Sequence, residues 1–167
     1  MRMSIYSALF IGVAAVGCRP APASTSILSP TDKARNFALE FYGWYTAPNA
    51  TKNIDTAMAV RRASFAPDLA AMIDSDNACA ARAHGECQLE EDPILASQDP
   101  CQQYEIGGAL PHGDTVAVSV YGVCEGKRDT VPAVIAMVVP QGSGWQFANF
   151  VYPVEKTDLR TILSRKQ

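Results

Sequence analysis

"CQQYEIGGALPHGDTVAVSVYGVC", Cys101 to Cys124, is the stretch whose reading decides the fold. In its second half Val116, Val118 and Val120 alternate with Ala117, Ser119 and Tyr121, the period of a half-buried strand. Taking His112-Gly113 as a two-residue turn makes the stretch a hairpin. Cys101 and Cys124 then lie equally far from the turn and face each other across the pair. Cys79 and Cys87 remain as a second bridge closing a small loop. Four cysteines permit three pairings, and this register selects one. The fifth, Cys18, lies far upstream.

Downstream, "VPAVIAMVV" (Val131 to Val139) is apolar on both faces and reads as a central strand covered on both sides. Trp145 to Tyr152 reads as another strand, joined to it by the turn Pro140 to Gly144, and Asp158 to Lys166 closes the chain as a short helix. Upstream, in "SPTDKARNFALEFYGWY", Ser29 is an N-cap, Pro30 the first helical residue and Asp32 a capping-box carboxylate. Ala34, Phe37, Ala38, Phe41, Trp44 and Tyr45 recur at helical spacing. Further helices are expected from Asp55 to Arg62 and from Pro67 to Arg82, with Cys79 on the last turn of the latter and His84-Gly85 as its stop. Helices followed by antiparallel hairpins spell an α+β fold, its helices packed on a sheet of about four strands.

The N-terminus reads as a signal peptide: Arg2, an apolar run from Ile5 to Val16, then small residues. The run is shorter than the ~20 residues that a membrane-spanning helix needs. Ala21-Pro22-Ala23 suits ordinary signal peptidase and would release a soluble periplasmic or secreted protein. Ala15-Val16-Gly17-Cys18 resembles a bacterial lipobox, in which the cysteine is acylated and becomes the first residue. The lipobox is favoured, because Cys18 falls where the apolar run ends and setting it aside leaves an even number of cysteines for an oxidising compartment. The chain then divides into a signal peptide (1–17), a lipidated cysteine with a Pro/Ala/Ser-rich tether (18–28) and a single α+β domain (29–167). Arg19 follows the cysteine in place of the aspartate that holds such proteins at the inner membrane, so the lipobox resemblance implies an outer-membrane anchor facing the periplasm. With 14 Lys+Arg against 17 Asp+Glu, and basic residues only in scattered pairs, the composition argues against a nucleic-acid binder.

Several segments carry a family resemblance. "ARNFALEFYGWY", "SFAPDL", "SQDPCQQYEIG", "GWQFANFVYP" and "DLRTIL" together resemble the domain of unknown function 3828, found largely in bacterial envelope lipoproteins and secreted proteins. The resemblance spans Ser29 to Leu163 and implies a nuclear transport factor 2-like cone, a curved sheet wrapping a long first helix. In such a cone Phe37, Phe41 and Trp44 would pack against the central strand around Val134 and Met137. The family lends no catalytic residues.

No motif supports chemistry by itself. "DSDNA" (Asp74 to Ala78) begins like a calcium loop but lacks the turn glycine, and Gly85 stands where the final glutamate belongs. His84 and His112 are not at ligand spacing, and oxidised Cys79 and Cys87 cannot bind zinc. There is no Gly-x-Ser-x-Gly elbow and no phosphate-binding loop, so neither metal nor cofactor is expected. The cone alone suggests a cavity lined by Tyr42, Tyr45, Tyr104 and Tyr121 with Asp99 at its mouth, which is fold analogy only. The reading is therefore a non-enzymatic, membrane-anchored domain that binds an envelope protein or a small apolar ligand. Its alternatives are a cone-fold isomerase, cyclase or hydratase acting on a small hydrophobic substrate, and a toxin-neutralising immunity protein.

Overall fold

The computed structural model describes residues 28–48 and 53–165, so the leader, Cys18 and all but the last residue of the tether lie outside the described residues. Helix α1 (Pro30–Tyr45) begins as its sequence dictates. The Asp32 amide donates to Ser29 Oγ at 3.1 Å, the Ser29 amide donates back to the Asp32 carboxylate at 3.3 Å, and proline occupies the first turn. Its buried face is Ala34, Ala38, Phe41, Tyr42 and Tyr45. Helix α2 (Ile54–Arg61) is capped by Asn53 and runs into a 3-10 turn, Arg62–Ser64. Helix α3 (Pro67–Ala83) stops at His84, which takes the left-handed conformation at φ 53°. "DSDNA" lies within α3, where Asp74 pairs with Arg62 and Asn77 donates to Asp55.

Six strands follow: β1 (Gln103–His112), β2 (Thr115–Cys124), β3 (Lys127–Arg128), β4 (Val134–Gln141), β5 (Gly144–Tyr152) and β6 (Thr157–Asp158). They form an antiparallel sheet in the order β1-β2-β4-β5-β6, with β3 paired to β2, and α4 (Leu159–Leu163) closes the described chain. The fold is α+β as expected. The strands beyond the expected four are β3 and β6, each two residues long and too short to leave a periodic signal.

Cys101 and Cys124 are joined, with Cα atoms 4.7 Å apart, as are Cys79 and Cys87, 6.0 Å apart. The turn assumed between the first pair is nevertheless one residue off. His112 pairs with Thr115, so the turn is Gly113-Asp114, with Gly113 at φ 57°. A bulge at Gly107-Gly108 then shifts the register, Gln103 faces Val123, and Cys101 meets Cys124 just past the end of the β1–β2 ladder. Gly107 belongs at this bulge for a steric reason: a Cβ there would sit 2.6 Å from the ring of Tyr121.

Two packing expectations are also corrected. Strand β4 is central but covered on one face: Val134, Ala136 and Val138 are buried, whereas Ile135, Met137 and Val139 are half-buried on the other. An apolar run cannot reveal this, because an open sheet face lined by aliphatics reads like a covered one. Phe41 therefore packs not on Met137, which faces away, but on Phe147 (ring centroids 4.8 Å apart), Phe65 (5.7 Å) and Tyr45 (5.7 Å). Phe37 also meets Phe147, at 4.8 Å. Both long edges of the sheet are tied down. Arg35 of α1 donates to the Ile106 and Gly107 carbonyls beside the bulge, and the Ala66 amide donates to Phe147 O on β5.

Candidate functional site

Between α3 and β1 the chain runs without regular structure, and its middle, Asp92 to Ser97, enters the space between helices and sheet. We call this segment the strap. One Asp92 carboxylate oxygen accepts from the amides of Ile94 (2.8 Å) and Leu95 (3.2 Å), a local turn that aspartate favours. The Ala96 amide donates to Asp92 O, and the Asp92 amide to Ser97 O, closing the turn. Ala96 is held at φ 51°, a left-handed conformation that costs a residue with a Cβ. Ahead of the strap, the buried Asp76 carboxylate accepts from the Gln88 and Leu89 amides. Cys87 and Cys101 flank it, and each is bonded to the body of the fold.

Three tyrosines meet the strap. Tyr42 Oη donates to Ile94 O at 2.9 Å, Tyr152 Oη donates to Pro93 O at 2.8 Å, and Tyr45 Oη donates to the second Asp92 carboxylate oxygen at 2.8 Å. Ile94 is wholly buried beneath them. Burial raises the hydroxyl pKa of all three, and the neighbouring Asp92 charge adds to it, so each stays a neutral donor. Burial also raises the Asp92 carboxyl, against the hydrogen bonds from Tyr45 and the two amides, which lower it.

Of the four tyrosines expected to line one cavity, Tyr42 and Tyr45 come together here. Tyr104 is half-buried, and desolvation lifts its hydroxyl to about 12. Tyr121 is elsewhere. Tyr104 faces Gly122 in the β1–β2 ladder, so the residue before that glycine, Tyr121, points to the opposite face of the sheet. There its ring lies under Arg128 (3.7 Å to the centroid), which also pairs with Glu105 at 3.2 Å. Asp99 is exposed on the loop. Tyr152 and the strap itself escaped the sequence reading. The signal was "DPIL", an aspartate and proline carrying two large aliphatics inside an otherwise polar loop.

Solvent grooves surround the strap. One of about 390 Å³ includes Pro93, Tyr152, Glu90, Glu91 and Glu155. Another of about 300 Å³ includes Ala96, Val131, Ala133 and Val154. Burial, then Glu155, Asp92 and Glu90, push the Glu91 carboxyl up. Among the described residues no group of three His, Cys, Asp or Glu side chains is placed to hold a metal ion. No helix among them is long and apolar enough to cross a membrane. No protein-family model, curated protein or solved structure matches the chain.

Proposed function

We propose that this chain is a bacterial envelope lipoprotein of the domain of unknown function 3828 kind. In this reading it is acylated at Cys18, anchored to the outer membrane facing the periplasm, and its cone-like domain binds a protein partner without catalysis. The observation that carries the reading is the filled interior. Ile94 is wholly buried in the apolar core, and the hydroxyls of Tyr42 and Tyr152 end on main-chain carbonyls of the strap, which supports an interior packed with the protein's own residues over one that lodges a substrate. Buried donors already bonded to the protein serve packing and orientation. The cone-fold enzyme reading asks for a tyrosine turned toward a substrate. Tyr45 instead serves Asp92, and Tyr121 serves Arg128 on the far face.

The test is recovery of a partner by the acylated protein from its own envelope, repeated with Tyr45→Phe and Tyr121→Phe. Recovery by both variants no lower than by wild type, with an unchanged envelope phenotype, supports a binding module. A phenylalanine variant that folds normally yet abolishes the phenotype replaces this reading with the enzyme, because a lost catalytic donor costs orders of magnitude.

A further inference from the structure

The strap is bound by the fold in the manner of a ligand. Two hydroxyl donors reach main-chain carbonyls of successive residues, Pro93 and Ile94, and a closed apolar socket takes the Ile94 side chain. None of the strap's contacts with the tyrosines is a strand ladder, and its own turn is held by Asp92 and a left-handed Ala96. The Ile94 and Leu95 amides donate to the Asp92 side chain within that turn, so the segment can leave without breaking a strand pairing. The disulfides at Cys87 and Cys101 tie the residues on either side to the body of the fold, so a displaced strap would stay tethered beside its socket.

We propose that the strap is a displaceable occupant and that the socket under Ile94 is a peptide-binding site. It accepts an extended apolar segment of a partner protein when the strap leaves. This rests on the binding-module reading and names the chemistry of its partner. A bound segment would offer two successive carbonyls to Tyr42 and Tyr152 and a branched aliphatic side chain to the socket. The grooves beside Pro93 and beside Ala96 give it room to enter and leave. Glu90, Glu91 and Glu155 outnumber the cationic Arg165 in the lining of the first groove and favour basic residues flanking the apolar ones. The closed strap lowers the apparent affinity by the fraction of molecules that are open.

The experiment is residue-resolved hydrogen exchange on the mature, oxidised protein, with the peptide acetyl-Lys-Pro-Ile-Leu-Ala-Lys-amide as probe. The expected result is exchange at Ile94 and Leu95 at least about tenfold faster than at Ala136 and Val138 in β4. Peptide at millimolar concentration, about the effective concentration of a tethered competitor, should raise strap exchange further and leave β4 unchanged. The same peptide with serine for isoleucine should do nothing. Strap amides protected as strongly as those of β4, or indifferent to the peptide, overturn the proposal. Partner recovery on some other surface would survive that result, so the two failures are distinguishable. Ile94→Ser should bind the peptide at least about tenfold tighter than wild type, since its strap no longer fills the socket. Equal affinity also overturns the proposal, and if that variant does not fold, wild-type exchange decides alone.

Discussion

Asp92 shows how one side chain couples loop geometry to pH. Its carboxyl is raised in the fold because burial disfavours the charge. A raised acid binds its proton more tightly folded than unfolded. Its contribution to stability is therefore full below the unfolded value of ~3.9 and is lost as pH rises through the folded value. Denaturant midpoints taken across that range should show wild type losing stability relative to Asp92→Asn as pH rises. A constant difference would mean that the carboxylate is as well solvated in the fold as outside it. Tyr152 and Tyr121 make a second comparison. Tyr152→Phe strips the donor from the buried Pro93 carbonyl and should cost about 1–3 kcal/mol. Tyr121→Phe keeps the ring under Arg128 and should stay within about 0.5 kcal/mol of wild type. Equal costs in thermal melts would contradict this division of roles.

Among the elements, α1 and β5 share one aromatic junction. Phe41 is 1% exposed and meets Phe147, Phe65, Tyr45 and Trp44, so Phe41→Ala should cost ~3–5 kcal/mol through lost burial and a cavity. A cost under ~1 kcal/mol would show that the junction collapses around the gap. The β1–β2 hairpin depends on a different kind of contact. Its bridge closes a loop of 23 residues' separation, which the chain-entropy model values at ~3 kcal/mol. Cys124→Ser should lower stability by about that much and loosen the end of the hairpin near Gln103 before β4. Uniform exchange across the sheet would place the bridge's effect in the unfolded chain alone. The element boundaries were legible where the signals are local, as in the Ser29–Asp32 capping box. The register was not, because the Gly107-Gly108 bulge answers to the Tyr121 ring across the strand pair.

For the molecule as a whole, the proposed function assigns anchoring and partner recognition to different parts of the chain. Intact mass of the mature protein should show an acylated Cys18 as its first residue, and Cys18→Ala should leave the precursor unprocessed or the product soluble. A soluble wild-type chain beginning at Ser24 would mean secretion by ordinary signal peptidase. Acyl burial contributes ~0.8 kcal/mol per methylene and supplies attachment only. The described chain enters α1 at its N-cap Ser29, while the strap meets the last turn of that helix at Tyr42 and Tyr45. The sixteen residues of α1 extend about 24 Å. The strap therefore lies at the end of α1 away from Ser29, where the proposed tether would join.

The sequence by itself determined what depends on neighbours along the chain. Caps, helical and strand periods, and the order of helices before hairpins all follow from interactions spanning a few residues. Pairing the cysteines required setting Cys18 apart and reading Cys101 to Cys124 as one hairpin, which brings its two ends together although the turn sits one residue further on. Only the tertiary structure decided which face of β4 is covered, that Tyr121 stands apart from the other tyrosines, and that Asp92 to Ser97 fills the interior. Each of these depends on surfaces brought together from distant parts of the chain. A sheet face is covered only if a helix reaches it, and strand parity turns on one extra residue at a bulge. A polar loop can bury an isoleucine because tyrosines from α1 and β5, 52 and 59 residues away in sequence, satisfy the carbonyls it carries inside.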